Sequence, residues 1–270
     1  MKRLGSTRAA ALLGITGGAA VLAAILRWVQ LSNDIKSNGA VLPGRYLYLV
    51  IAVLSVAVLA ALAVLIRPLR RQTRWEEIFS GGKLPNVLHI ASAVCFVIGG
   101  IMLYYASLPK TEDEALALTQ LQKTINLLIP LLGVACAVTL VAFARKCLRH
   151  EKPSPLLYMI VSVYLIVRLI VNFQKWSTDP SLNDFVYHLF AAISCMLAAF
   201  QLAGFSFGKR RITLFWSLCA VYFSAISIVD CLCGRANDAG IQVALLLTMA
   251  ASSLQLLCNP AQNEPEEKTL

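Results

Sequence analysis

Eight apolar runs, each of spanning length and each set off from the next by Pro, Gly, Asn or a charge cluster, dominate this 270-residue chain. They fall near 9–27, 46–66, 86–107, 124–145, 155–173, 184–206, 212–230 and 239–258. A helix needs about 20 apolar residues to cross the hydrocarbon core of a bilayer. Within that core every backbone N–H and C=O must be satisfied inside the segment or in a closed barrel. The sequence lacks the alternating segments of about ten residues that mark a barrel, so the runs read as helices. The expected fold is an all-α integral membrane protein, a bundle of about eight transmembrane helices. It forms one polytopic domain over 1–270, of which 259–270 is a polar C-terminal tail.

Composition agrees. Hydrophobic residues make up 58% and charged residues 14%, with a mean hydropathy of +0.71, whereas soluble domains carry about 25% charged residues. No loop is long enough for a soluble domain, so function has to be built within the bundle or at its rims.

The net charge of +10 acquires its meaning from its placement. Lys2, Arg3 and Arg8, then Arg67, Arg70, Arg71, Arg74 and Lys83, then Arg145, Lys146, Arg149 and Lys152, then Lys209, Arg210 and Arg211, with Lys268, all fall on one side of the predicted layout. The other side holds only Arg27, Lys36, Arg45, Lys110, Lys123, Lys175 and Arg235. Cytoplasmic segments carry the Lys/Arg excess, which predicts both termini in the cytoplasm and some attraction to anionic lipid. The basic residues are divided among short loops rather than gathered with stacking aromatics, so nucleic acid is not an expected partner. The first run resembles a secretory signal at MKRLGSTR, but it is longer than a signal's apolar core and ends in Arg27-Trp28, so it is expected to be a retained helix. The chain has no N-x-S/T sequon, which fits a bacterial cell membrane.

The second connection, RRQTRWEEIFSGGKLPN, is predicted to form a short interfacial helix with Trp75 at headgroup level. The third contains Thr111-x-x-Glu114, a capping box that would start helix four outside the membrane, with Pro130 as a kink further on. Gly14-x-x-x-Gly18 reads as a close-packing or dimerisation face, and Tyr104, Tyr105, Trp28 and Trp176 as an outer aromatic belt. SVYLIVRLIVN at 162–172 aligns with AVYFSAISIVD at 220–230. The helices that follow pair Asp184 with Asp238, His188 with Gln242 and Gln201 with Gln255, a pattern that would make the second half a parallel repeat of helical hairpins.

Arg168 is the charge inside a run. An arginine at the bilayer centre costs about 2.5–3.5 kcal/mol, whereas each Leu, Ile, Val or Phe contributes about 0.3–0.6 in the other direction. Helix five carries twelve such residues, together roughly 4–7 kcal/mol, so insertion succeeds without a partner for the charge. Two readings follow. Arg168 lies five residues from the outer end of the run, near enough to snorkel to the headgroups. Alternatively, Tyr164, Arg168 and Asn172, spaced i, i+4, i+8, face the bundle with Asp230 as counter-ion. In the second case His188 and Gln242 complete a polar, outward-facing vestibule between helices five to eight. His89, Gln201 and Gln255, near the inner ends, read as interface residues bonded to a carbonyl or to water.

The chain lacks a P-loop, an HExxH and a phosphate-cradling Gly-rich loop. Its eight cysteines are scattered apart from Cys231-x-Cys233, with no accompanying histidine, so no metal and no cofactor is expected and catalysis is not favoured. The expected function is a small-solute transporter or binder using Tyr164, Arg168, Asn172, His188, Asp230 and Gln242. The alternative is a non-catalytic sensor or a subunit of a membrane complex. Expected partners are the bilayer, a small solute, and a membrane protein or a second copy of the chain.

Overall fold

The computed structural model describes residues 2–33, 46–69, 75, 79, 82–109, 120–149, 151–176, 185–204, 209–234 and 237–258. The capping box at Thr111–Glu114, Asp184 and the C-terminal tail lie outside the described residues. These residues form eight helices and no strand: α1 Lys2–Asn33, α2 Leu47–Ile66, α3 Lys83–Ser107, α4 Gln120–Leu148, α5 Leu157–Trp176, α6 Val186–Ala203, α7 Arg210–Leu232 and α8 Ala239–Cys258. Seven are long and apolar enough to cross a membrane, and α5 has a shorter apolar stretch, Leu157–Phe173. At 1.5 Å per residue that stretch spans about 26 Å, against about 30 Å of hydrocarbon.

Helices α3 to α8 pack in chain order, each on the next, and α8 closes back on α3. Outside this ring α1 and α2 pack on each other and on α7. Large apolar side chains are exposed along α2, α3 and α4, among them Val53, Val56, Val94, Ile98, Leu131 and Val138. In water such a surface would drive association; in lipid it is the ordinary outer face of a bundle. Tyr105 and Trp28 are exposed, in keeping with an aromatic belt.

Contact between α3 and α8 sets the geometry of the ring. A Cβ added to Gly99 would stand 2.7 Å from the Ile241 nitrogen, and one added to Gly240 would stand 2.8 Å from the Gly99 Cα. The two backbones therefore touch. One turn and more along the seam, the Ser92 hydroxyl donates to the Ala244 carbonyl at 2.7 Å and lies 2.6 Å from the Thr248 hydroxyl. Small residues that allow backbone approach, reinforced by hydroxyl bonds, are the usual means of holding helices together where lipid removes the hydrophobic driving force. By contrast, a Cβ on Gly14, Gly17 or Gly18 would meet nothing within 4 Å, so the close packing expected at Gly14-x-x-x-Gly18 occurs instead at Gly99 and Gly240.

Buried hydroxyls are satisfied locally. Thr16, Ser55, Thr248, Ser252 and Ser253 each donate to the carbonyl four residues back, at 2.8–2.9 Å, which spares the polar atom from facing hydrocarbon. Arg210, read above only as a topology charge, is buried; its Nε and Nη2 donate to the Leu256 carbonyl at 3.1 and 2.5 Å. The first residue of α7 thus satisfies a carbonyl in the last turn of α8, where a cation also suits the helix dipole.

The placement of Trp75 at headgroup level is corrected, while the short helix expected around it lies largely outside the described residues. The Trp75 side chain is only 8% exposed, its Nε1 donates to the Pro153 carbonyl at 2.6 Å, and its ring packs on Phe79, Phe143 and Tyr158. The Trp75 and Phe79 side chains therefore pack against the bundle.

Candidate functional site

Arg168 faces inward. It is 5% exposed and makes an ion pair with Asp238, the residue immediately before α8, while its Nη1 donates to the Tyr164 hydroxyl at 3.0 Å. The i, i+4 spacing of Tyr164 and Arg168 on α5 places phenol and guanidinium on one stripe, and the start of α8 brings the carboxylate across. The snorkelling alternative is thereby excluded. The expected pairing with Asp230 is also corrected: Asp230 accepts from Arg27 Nε of α1 at 2.7 Å. Arg27 in turn donates to Gln30 at 2.8 Å and lies 5.0 Å from the centre of the Tyr187 ring, a favourable cation–π placement.

Two buried Arg–Asp pairs therefore stand at this end of the bundle, and a short polar chain extends from the Arg168–Asp238 pair. Asp238 Oδ2 lies 2.8 Å from His188 Nε2, and Asp238 Oδ1 accepts from the Cys231 thiol at 3.2 Å. A carboxylate can only accept, so His188 Nε2 carries the proton and Nδ1 accepts from the Ser227 hydroxyl at 2.8 Å. The Gln242 amide nitrogen reaches Asp238 Oδ2 at 3.4 Å and lies 3.0 Å from His188 Nε2. Burial works against the charge of Asp238, but Arg168 and then His188 hold its carboxyl well below the usual carboxylate range. Removing one partner of such a pair strands the other charge and costs about 3–5 kcal/mol.

A cavity of about 250 Å³ opens beside the pair, lined on one side by Arg168, Asn172, His188 and Asp238. The facing wall comes from α3 at Leu103, Ala106 and Ser107 and from α4 at Asn126, Ile129 and Pro130, and Val171, Phe185 and Asn237 complete the lining. The vestibule is thus bounded by α3 and α4 as well as by α5, α6 and the start of α8, and α7 is absent from its lining. Pro130 lies within α4 without ending it. Having no N–H, it cannot bond the Asn126 carbonyl four residues back, so an acceptor is released beside the cavity.

Of the six residues singled out from the sequence, Tyr164, Arg168, His188 and Gln242 belong to one hydrogen-bonded cluster, and Asn172 lines the cavity. Asp230 stands apart with Arg27. Sequence reasoning missed Asp238, Ser227, Cys231 and Asn126. Asp238 carried a legible signal, since it precedes an apolar run and lies four residues before Gln242. His188 Nε2, Cys231 Sγ and an Asp238 oxygen lie within 4.8 Å of one another, a set of atoms able to ligate a metal. The Arg168 guanidinium on the same carboxylate puts fixed positive charge against a bound cation, so the trio functions here as a hydrogen-bonded unit.

No family model, no curated protein and no solved structure matches this chain.

Proposed function

We propose that the chain is a carrier for a small zwitterionic solute, which it takes up in the cavity beside Arg168 and Asp238. The observation that carries this reading is a buried pair of opposite charges in the wall of a cavity whose other side is largely apolar. A solute bearing carboxylate and ammonium groups exchanges that internal pair for two intermolecular ones, carboxylate to Arg168 and ammonium to Asp238. Neither charge is then left stranded. Asn126, Asn172 and the freed Asn126 carbonyl offer further hydrogen bonds, and Leu103, Ile129 and Val171 accommodate a short side chain. The volume suits a solute of several heavy atoms.

Beyond the cavity, α8 carries buried polar side chains along its length: Gln242, Thr248, Ser252 and Gln255. Thr248 meets Ser92 of α3, and Ser252 meets Tyr158 of α5 at 2.9 Å. Such a seam gives a polar solute successive partners across the bilayer. The Lys/Arg asymmetry supports an outward-facing position for the cavity.

Uptake into proteoliposomes tests this. Radiolabelled glycine, alanine and proline are offered to the wild type and to the double variant Arg168→Leu/Asp238→Asn, which removes both charges together. Time-dependent uptake of at least one solute, at least tenfold slower in the folded double variant, is expected. Absence of uptake for all three, or equal uptake by the two proteins, overturns the reading.

A further inference from the structure

Asp238 Oδ2 meets more donors than its lone pairs can serve. Arg168 Nη2, His188 Nε2 at 2.8 Å and the Gln242 amide nitrogen at 3.4 Å converge on this one oxygen, while the Cys231 thiol donates to Oδ1 at 3.2 Å. Arg168 can therefore turn to a solute while Asp238 keeps its hydrogen bonds to His188, Gln242 and Cys231. What the carboxylate then loses is a cation.

A zwitterion replaces that cation with its own ammonium group. A carboxylate without an ammonium group does not. Among the described residues, the charged groups around the His188 ring are Arg168 of α5, Asp238 before α8, and Asp230 of α7, which is paired with Arg27 of α1. Tyr164 of α5, Cys231 of α7 and Tyr187 of α6 itself are neutral phenols and a neutral thiol. Two arginines match two aspartates, so an anion entering alone leaves one uncompensated negative charge among side chains that are almost wholly buried.

His188 is placed to supply the missing positive charge. The residue lines the cavity, bonds Asp238 through Nε2, and has its Nδ1 2.8 Å from the Ser227 hydroxyl. A carbonyl oxygen or an ammonium group opposite Nδ1 would fix one protonation state, whereas a hydroxyl donates to the bare nitrogen and accepts from the protonated one. A proton from water can thus add to Nδ1 while both ring nitrogens keep their partners. Imidazoles are intrinsically far more basic than carboxylates, so the proton goes to the ring and not to Asp238.

We propose that the cavity also takes a simple carboxylate lacking an ammonium group, together with one proton held on His188 Nδ1. The anion pairs with Arg168, the imidazolium takes over Asp238, and the net charge of the site does not change. This rests on the carrier reading for its cavity and for the turning of Arg168, but it needs no ammonium subsite. Because the bound form holds an extra proton, acetate binds more tightly as pH falls, while glycine, which brings its own cation, does not.

Calorimetric titration of the purified full-length protein in detergent, with sodium acetate against sodium chloride and with glycine, is the test. Both solutes keep their own charge between about pH 6 and pH 8, and two buffers of different ionisation enthalpy count the protons taken up. Uptake of about one proton per acetate is expected, with a dissociation constant that rises roughly fivefold to tenfold from pH 7 to pH 8, against less than about twofold for glycine. His188→Gln is expected to abolish the proton uptake. Should that variant not fold, Ser227→Ala, which removes the acceptor of the imidazolium, is expected to move the pH-dependent region of acetate binding to lower pH. Acetate binding no stronger than chloride, acetate binding without a proton, the same pH dependence for glycine, proton uptake retained in His188→Gln, or an unmoved Ser227→Ala profile overturns the proposal. Absent glycine binding, with acetate and its proton still bound, overturns the zwitterion reading and leaves this inference standing.

Discussion

Gly99 and Gly240 bring α3 and α8 into backbone contact, since a Cβ on either would lie under 3.0 Å from main-chain atoms of the other helix. This contact closes the ring and sets Asp238, two residues before Gly240, at the cavity wall.

Gly99→Ala is therefore expected to destabilise by about 1–3 kcal/mol, because the obstacle is backbone rather than a movable side chain. Gly14→Ala and Gly18→Ala, which meet nothing within 4 Å, are expected to change stability by less than about 0.5 kcal/mol. Comparing denaturation of the three variants checks the contrast.

Arg27 and Asp230 are expected to couple in a double-mutant cycle. Either Arg27→Leu or Asp230→Asn alone strands a buried charge at a cost of about 3–5 kcal/mol, whereas the double variant recovers much of the loss. Solute uptake should survive in the double variant, because neither residue lines the cavity. Strictly additive effects on stability would show that the pair is not formed.

Trp75→Ala is expected to cost about 3–5 kcal/mol, the range for removing a buried aromatic side chain. An interfacial anchor would lose far less on truncation. Thermal unfolding of Trp75→Ala beside Trp28→Ala, whose ring is half exposed, separates the two cases.

Asn172→Ala is expected to act on the solute rather than on the fold. The side chain lines the cavity without joining the Arg168 cluster, so stability should shift by about 0.5 kcal/mol or less while half-maximal uptake moves to higher solute concentration. A change in Tm with no change in uptake would remove Asn172 from the site.

The helices were legible in the sequence because spanning length and apolar composition are local properties. Which face of most helices points inward was not, since lipid and protein interior are equally apolar and a wholly apolar stretch carries no mark of its buried side. Arg168 and Tyr164 could be placed on one stripe from spacing alone. Their counter-ion could not, because Asp230 and Asp238 flank the same short connection and only the packing of α1 on α7 decides that Asp230 belongs to Arg27. The same limit hid the burial of Trp75, whose basic neighbours suggested a membrane surface, and that of His89 and Gln255, which their positions near helix ends had assigned to the interface.

Glycine-dependent stabilisation of the purified protein, measured against acetate and methylammonium at equal ionic strength, tests most directly whether Arg168 and Asp238 bind a zwitterion. The expected result is a Tm rise with glycine that exceeds those with the two half-molecules and is lost in Arg168→Leu/Asp238→Asn. Equal shifts for all three compounds, or a glycine shift retained in the double variant, would contradict it.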